Sequence, residues 1–217
     1  KYRLRVSGRT TANLNKHLFW KGYYAYGTES QKHYYGTEIT YSLNKKKNVP
    51  FEFPQRNITF ETGYDVMSPA DKFLTHNKDN VFMSLRTQKV EQMYFYNRQK
   101  LSFDYETDWG FSINTSVKAE SNRPTGDLVF KKMPGAITNP TADGNEYVNR
   151  IRTTEFKIGL RYCPGQTFIN TKQQRWPVNL DAPEFTVSHT VGLNNVLGGQ
   201  YKLNFTEAGI YKRFWMG

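Results

Sequence analysis

Residues 101–120 alternate between apolar and polar side chains on both sides of a short turn, and this pattern constrains the fold most strongly. The apolar set contains Leu101, Phe103, Tyr105, Phe111, Ile113, Val117 and Ala119, and the polar set contains Ser102, Asp104, Glu106, Ser112, Asn114, Ser116, Lys118 and Glu120. Successive residues of a strand point to opposite faces, so the stretch predicts a hairpin with a turn at Asp108-Trp109-Gly110. A soluble sandwich would bury the apolar face in its core, whereas a transmembrane barrel would turn that face to lipid.

The composition is compatible with both folds. The chain has 217 residues, of which 16% are aromatic, and aromatic residues favour strands and bilayer interfaces. A mean hydropathy of −0.74 does not exclude a membrane barrel, because half of each barrel strand and all of its loops are polar. The sequence lacks an apolar run of about 18 residues, so we expect no transmembrane helix.

The net charge of +11 fits either solvated lysines and arginines or an anionic membrane surface. The only basic run, Lys45 to Lys47, is short and lacks an RNA-binding signature, so we expect no nucleic-acid partner. The single cysteine, Cys163, excludes an internal disulfide. The chain begins in strand alternation at Lys1 without a signal segment, so we expect a piece of a longer or processed protein.

The same alternation recurs along the chain and predicts about ten strands and no helix. Most of these strands have about nine to twelve residues, which is close to the length of a tilted membrane strand. The sequence therefore predicts one all-β domain over residues 1–217, an antiparallel transmembrane β-barrel or part of a larger one. Long loops are predicted at 122–149 and 164–184; they flank one strand and should open on opposite sides.

The two faces of the predicted strands supply the candidate site residues. Charged residues facing the lumen are expected to form a network of ion pairs, because an unpaired buried charge is very costly. They are Arg3, Arg5, Arg9, Glu38, Glu61, Asp65, Arg86, Asp104, Glu106 and Arg161. Aromatic residues expected at the membrane interface are Trp20, Tyr24, Tyr26, Tyr41, Tyr64, Trp109, Trp176 and Trp215.

No common catalytic motif is present, so we expect no enzyme activity, no metal site and no cofactor. Ser188 and His189 suggest a nucleophile and base, but neighbouring strand residues point to opposite faces and cannot pair with each other. Residues 143–146, DGNE, resemble a calcium loop but lack its regular ligand spacing, so we interpret them as a solvated turn.

Four segments resemble a family of Bacteroidota outer-membrane proteins of unknown function. They are LRYCPGQTF at 160–168, FTVSHTVGLNNVLGGQYKLNFTEAGIYKRFW at 185–215, GRTTANLN at 8–15 and TYSLNKKK at 40–47. In that family a carboxypeptidase-regulatory-like β-sandwich precedes a C-terminal barrel that continues past the end of this sequence. The resemblance implies a barrel in the bacterial outer membrane, and it implies no known activity.

We therefore expect a non-enzymatic outer-membrane barrel that serves as a scaffold, an envelope-assembly component or a transport accessory. Its expected partners are outer-membrane lipid and lipopolysaccharide, with other envelope proteins as a further option. One alternative is a soluble β-sandwich that binds glycan or nucleic acid through aromatic and basic residues. The other is an outer-membrane lipid hydrolase that uses Ser188 and His189.

Overall fold

The computed structural model of the chain describes residues 2–69, 92–131, 147–172 and 175–214, and strands are its regular elements. The strands are β1 (Arg3–Arg9), β2 (Leu18–Gly27), β3 (Lys32–Ser42), β4 (Arg56–Met67), β5 (Gln92–Glu106), β6 (Phe111–Gly126), β7 (Phe130–Lys131), β8 (Tyr147–Val148), β9 (Ile151–Tyr162), β10 (Phe168–Asn170), β11 (Arg175–Pro177), β12 (Glu184–Gly192) and β13 (Leu203–Tyr211). None of the described ranges contains a helix long and apolar enough to cross a membrane.

Nine strands form one antiparallel sheet in the order β1-β2-β3-β4-β5-β6-β9-β12-β13. Strands that are neighbours in this sheet follow one another along the chain. Two small hairpins, β7–β8 and β10–β11, lie in the connections between its strands. This meander confirms the predicted all-β, antiparallel architecture. It also means that the described strands form one extended layer and not the two packed layers of a sandwich.

The sheet is not closed. In the described residues β1 pairs only with β2, and β13 pairs only with β12, so each edge has unpaired backbone groups. The described strands therefore do not close into a barrel by themselves, because no hydrogen bonds join the two edges.

The hairpin predicted from residues 101–120 is present and is longer than predicted. Strands β5 and β6 pair from Gln92 with Gly126 to Glu106 with Ser112. Gly110 ends the turn with φ of 88°, and a Cβ there would overlap the carbonyl oxygen of Cys163. This position therefore requires glycine.

The two long loops lie at opposite ends of β9, but their bounds differ from the prediction. The 122–149 prediction was wrong at its start, because β6 continues to Gly126 through Pro124. Strand β9 pairs with β6 only as far as Asn122, so at Pro124 strand β6 pairs with β5 alone. Proline has no N–H to donate, and at this position no hydrogen bond to β9 is lost. The connection between β9 and β12 covers 163–183 and contains β10 and β11.

The sheet curls toward its polar face. Strands β1 and β4 are three spacings apart, about 14 Å in a flat sheet, yet Arg3 on β1 lies 2.7 Å from Asp65 on β4. We call this concave, polar surface the inner face and the opposite surface the outer face. Ser102, Glu106, Ser116 and Glu120 are buried on the inner face, whereas Leu101 on the outer face is exposed.

The hydrophobic core is correspondingly small. Ala25, Tyr34 and Phe95 form a buried cluster, and Tyr64 and Val66 pack against it. Strand β13 departs from the facial pattern, because its register places Leu203 and Phe205 opposite Gly192 and Thr190 on the polar side. All residues of β13 are exposed, as expected for an open edge.

Candidate functional site

The outer face carries an exposed apolar surface that crosses most of the sheet. One register row joins seven strands through Trp20, Ile39, Phe60, Leu101, Val117, Phe156 and Val191. Phe60 and Leu101, at its centre, are 42% and 51% exposed. A contiguous surface of this kind normally contacts lipid or another protein.

The predicted interface aromatics fall into two groups along the strands. We call one end of the sheet the Cys163 end, where β3, β5 and β9 terminate, and the other the Gly27 end. Tyr41, Trp109 and Trp176 are exposed near the Cys163 end, and Tyr24 is exposed near the Gly27 end. Trp20 lies between them on β2, and Tyr26 and Tyr64 are half-buried toward the Gly27 end. Trp215 lies outside the described residues.

The inner face carries a row of charges in one register line. The row is Arg9, Lys21, Glu38, Glu61, Lys100, Lys118 and Glu155, with one residue from each of seven strands. Each acid pairs with a neighbouring lysine: Lys21–Glu38 at 3.5 Å, Lys100–Glu61 at 3.1 Å and Lys118–Glu155 at 2.8 Å. These pairs offset the repulsion between Glu38 and Glu61, which lie directly opposite each other.

Asp65 is the centre of a second group on the inner face, toward the Gly27 end. Its side chain is 5% exposed and accepts hydrogen bonds from Arg3 Nη2 at 2.7 Å and Tyr23 Oη at 2.6 Å. The guanidinium of Arg5 lies over the Tyr23 ring, 4.1 Å from its centroid. Three strands are thus joined through a single buried carboxylate.

Three further predicted charges, Glu106, Arg161 and Asp104, have partners that the sequence did not indicate. Glu106 binds both Nη atoms of Arg175, at 2.6 and 3.0 Å. Arg161 donates to Glu184 at 2.7 Å and to Gln166 at 2.6 Å. Asp104 accepts a hydrogen bond from Asn114.

Only Arg3 and Asp65, among the predicted charges, pair with each other in the described part of the chain. The prediction missed Lys21, Lys100 and Tyr23, and it missed the buried pair of Arg98 with Glu120 at 2.6 Å. Strand alternation could have placed all of these on the inner face, since it needs only the sequence. Arg86 lies outside the described residues.

Two connections are tied together at the Cys163 end. The rings of Phe53 and Phe168 lie 5.0 Å apart, and the Phe53 N–H donates to Asn170 Oδ1 at 3.1 Å. The first connection, residues 43–55, joins β3 to β4, and the second, 163–183, joins β9 to β12. These contacts join the two connections at the Cys163 end of the sheet.

Buried ionic groups hold the 43–55 connection in place. The Lys46 ammonium donates to the carbonyl oxygens of Glu52 and Pro54, both at 2.7 Å. Burial lowers the pKa of Lys46 to about 8, against the attraction of the nearby Glu52 and Glu106 carboxylates. Burial also opposes ionisation of Glu52, but the N–H groups of residues 47–49 and the Asn48 side chain stabilise its carboxylate, and the pKa of Glu52 lies below its usual value.

Glu52→Gln should destabilise the 43–55 connection by about 1–3 kcal/mol, because three backbone N–H groups lose a charged acceptor. A depressed pKa in the folded state means that this stabilisation is complete above 4.5, the ordinary pKa, and is lost as the pH falls through the lower value. Hydrogen-exchange protection of the Lys47 and Asn48 amides should therefore fall in acid. Asp108→Asn, an exposed turn carboxylate, is the matched control. Protection that is equal in Glu52→Gln and the control would contradict this assignment.

The described residues contain no group of three or more His, Cys, Asp or Glu side chains arranged to hold a metal ion. Ser188 Oγ donates to Glu207 at 3.3 Å on the inner face, and His189 Nδ1 lies 2.8 Å from Thr206 Oγ1 on the outer face. These two residues therefore face opposite sides of β12 and do not form a nucleophile–base pair with each other.

Comparison with known proteins assigns the chain to a family without assigning an activity. Neither a curated protein nor a solved structure matches the chain. A family model described as the C-terminal domain of a family of unknown function, DUF5686, matches residues 1–217, the whole sequence. The chain therefore belongs to the DUF5686 C-terminal domain family.

Proposed function

We propose that this chain forms part of the wall of a β-barrel in the bacterial outer membrane. In this arrangement the outer face contacts acyl chains, and the charged inner face borders enclosed water. The open edges of β1 and β13 then pair with further strands, because unpaired backbone groups are too costly in hydrocarbon. The partners are outer-membrane lipid and lipopolysaccharide, together with other envelope proteins.

The observation that carries this proposal is the slope of the apolar band across the strands. On β3 the exposed apolar residues of the outer face begin at Tyr35 and end at Tyr41, and on β9 they begin at Phe156 and end at Tyr162. The residue of β9 in register with Tyr35 is Arg152, four positions before Phe156. The residue in register with Tyr41 is Ile158, again four positions before the end of the band.

The band therefore shifts by four residues over four strand-to-strand steps, or one residue per strand. One residue advances about 3.4 Å and one strand about 4.8 Å, so the strands tilt by about 35° from the normal of the band. Strands of outer-membrane barrels tilt by about 35–45°. A flat bilayer explains why the apolar band is displaced along the strands between β3 and β9.

Aromatic side chains at the ends of this band also support the proposal. Tyr35 and Tyr41 are the terminal apolar residues of β3, with Ile39 between them, and Tyr162 ends the band on β9. Tyrosine prefers the headgroup level of a bilayer, because its ring is apolar and its hydroxyl is polar.

We further propose a non-enzymatic role as a scaffold, envelope-assembly component or transport accessory. The inner face supports this role, because Glu38, Glu61, Asp65 and Glu106 are each paired with a cation. The resemblance to Bacteroidota proteins with a preceding carboxypeptidase-regulatory-like domain supports the same location and architecture.

Cell fractionation tests the proposal. The chain, expressed within its natural protein, should stay in the outer-membrane fraction after a urea wash and should require detergent for release. Protease added to intact cells should cut only one of the two connections that flank β9, 127–150 or 163–183, because they lie at opposite ends of that strand. Release by urea, or cleavage of both connections in intact cells, would contradict the proposal.

A further inference from the structure

The concave inner face contains a cavity of about 610 Å³ between β1 and β5. Its floor is the cross-strand glycine pair Gly36 and Gly63. The Tyr23 ring occupies the space over Gly36, where a Cβ would lie 2.5 Å from it. Over Gly63 a Cβ would meet only backbone atoms, the nearest at 3.2 Å, so no side chain fills this position. Glycine within a strand often marks a close approach of a ligand to the backbone.

The rim of the cavity is rich in positive charge. Four cations, Arg5, Arg9, Lys21 and Arg98, and two acids, Glu38 and Glu61, line it. Lys21 pairs with Glu38, and Arg98 pairs with Glu120 outside the cavity. Arg9 has no acidic partner among the described residues.

We propose that this cavity binds an anionic sugar, a saccharide that carries a phosphate or carboxylate group. Arg9 and Lys21 provide charged donors for the anionic group. Glu38 and Glu61, which lie side by side at the rim, accept hydrogen bonds from sugar hydroxyls. The volume lies within the range of about 300–1,000 Å³ that is usual for small-molecule sites.

The same geometry disfavours a nucleotide base. A base would need a free aromatic face, but the guanidinium of Arg5 lies over the Tyr23 ring at 4.1 Å and that of Arg98 over the Tyr96 ring at 4.9 Å. A simple inorganic anion would use the cations but leave the two rim carboxylates facing it, which opposes binding. An anionic sugar satisfies both kinds of rim residue, because its anionic group binds the cations and its hydroxyl groups donate to the carboxylates.

This inference goes beyond the proposed membrane role, and its experiment does not depend on insertion into a bilayer. The natural protein that contains this chain, folded in detergent, is titrated by calorimetry with a hexose phosphate, a hexuronic acid, neutral maltose and inorganic phosphate. At least one anionic sugar should bind more tightly than both maltose and inorganic phosphate. Arg9→Gln and Lys21→Gln should each weaken the affinity for that sugar roughly tenfold, which is the effect of losing one charge-assisted hydrogen bond.

Lys157→Gln is the matched control, because Lys157 faces the inner side of β9 but lies outside the cavity. Its affinity for the sugar should match that of the unchanged chain. An equal loss of sugar affinity in all three variants, or equal affinity for the sugar and for inorganic phosphate, would overturn the proposal. A further titration uses phosphatidylcholine vesicles that carry a phosphorylated glycolipid. Binding to these vesicles without binding to any free sugar would place the anion site on the lipid-facing side and would also overturn it.

Discussion

Leu101→Arg should strongly reduce the amount of chain that is stably inserted in the outer membrane. Leu101 lies within the apolar band of β5, and its side chain is 51% exposed on the outer face. If that face contacts acyl chains, a charge there costs about 2–4 kcal/mol of folding free energy. The measurement is the fraction of chain that resists urea extraction from the membrane, together with its resistance to unfolding by heat in a denaturing gel.

Asn97→Arg is the control that makes this result specific. Asn97 lies on the outer face of the same strand, in register with Tyr64 and Ser121. The slope of the band places this position beyond its margin on β5, where a charge costs about 0–1 kcal/mol. In water both positions would tolerate arginine, because such surface changes rarely exceed about 0.5 kcal/mol. Equal behaviour of the two variants would therefore contradict a lipid-facing band.

The sequence predicted the strands and their two faces because alternation is a local property. Leu101 is exposed and Ser102 is buried, as the pattern of the hairpin indicates. The turn at Gly110 was also predictable, because Asp108 and Gly110 are residue types that favour turns. The end of β6 was not, because Pro124 indicates a loop unless the single-neighbour position of that residue is already known.

The partners of the charged residues could not be predicted, because they depend on register and on loop paths. Glu106 binds Arg175, which reaches it from the 163–183 connection and not from a neighbouring strand. The charge row from Arg9 to Glu155 appears only after the registers of six strand pairs are combined. Alternation assigns each residue to a face, but it does not give the register, that is, which residue of the neighbouring strand lies opposite.

Closure of the sheet also lay beyond the local pattern. Alternation is the same in an open sheet and in a barrel, since both have strands with one apolar and one polar face. The number of strands and the curvature decide closure, and these are properties of the whole sheet. The described strands curl enough to join Arg3 on β1 to Asp65 on β4, yet they leave the edges of β1 and β13 open.

Asp65→Asn should strongly reduce the stability of the folded chain. The Asp65 side chain is 5% exposed and receives hydrogen bonds from Arg3 and Tyr23. Removal of one member of a buried ion pair costs about 3–5 kcal/mol. Arg3 is 36% exposed and can be partly rehydrated, so we expect about 2–3 kcal/mol here. The measurement is the urea midpoint of the natural protein folded in detergent, with Arg3→Gln and the double variant completing a double-mutant cycle.

Glu38→Gln provides the matched control for the Asp65 variant, because it removes an acid from the same inner face at a more solvent-exposed position. The Lys21–Glu38 pair spans 3.5 Å, and its side chains are 69% and 36% exposed. Exposed pairs contribute about 0–1 kcal/mol, so this variant should unfold close to the unchanged chain. Additive losses in the Arg3 and Asp65 cycle, or an equal loss in Glu38→Gln, would show that Asp65 does not hold β1 and β4 together. A coupling above about 1 kcal/mol would instead show that the Arg3–Asp65 pair stabilises the contact between β1 and β4.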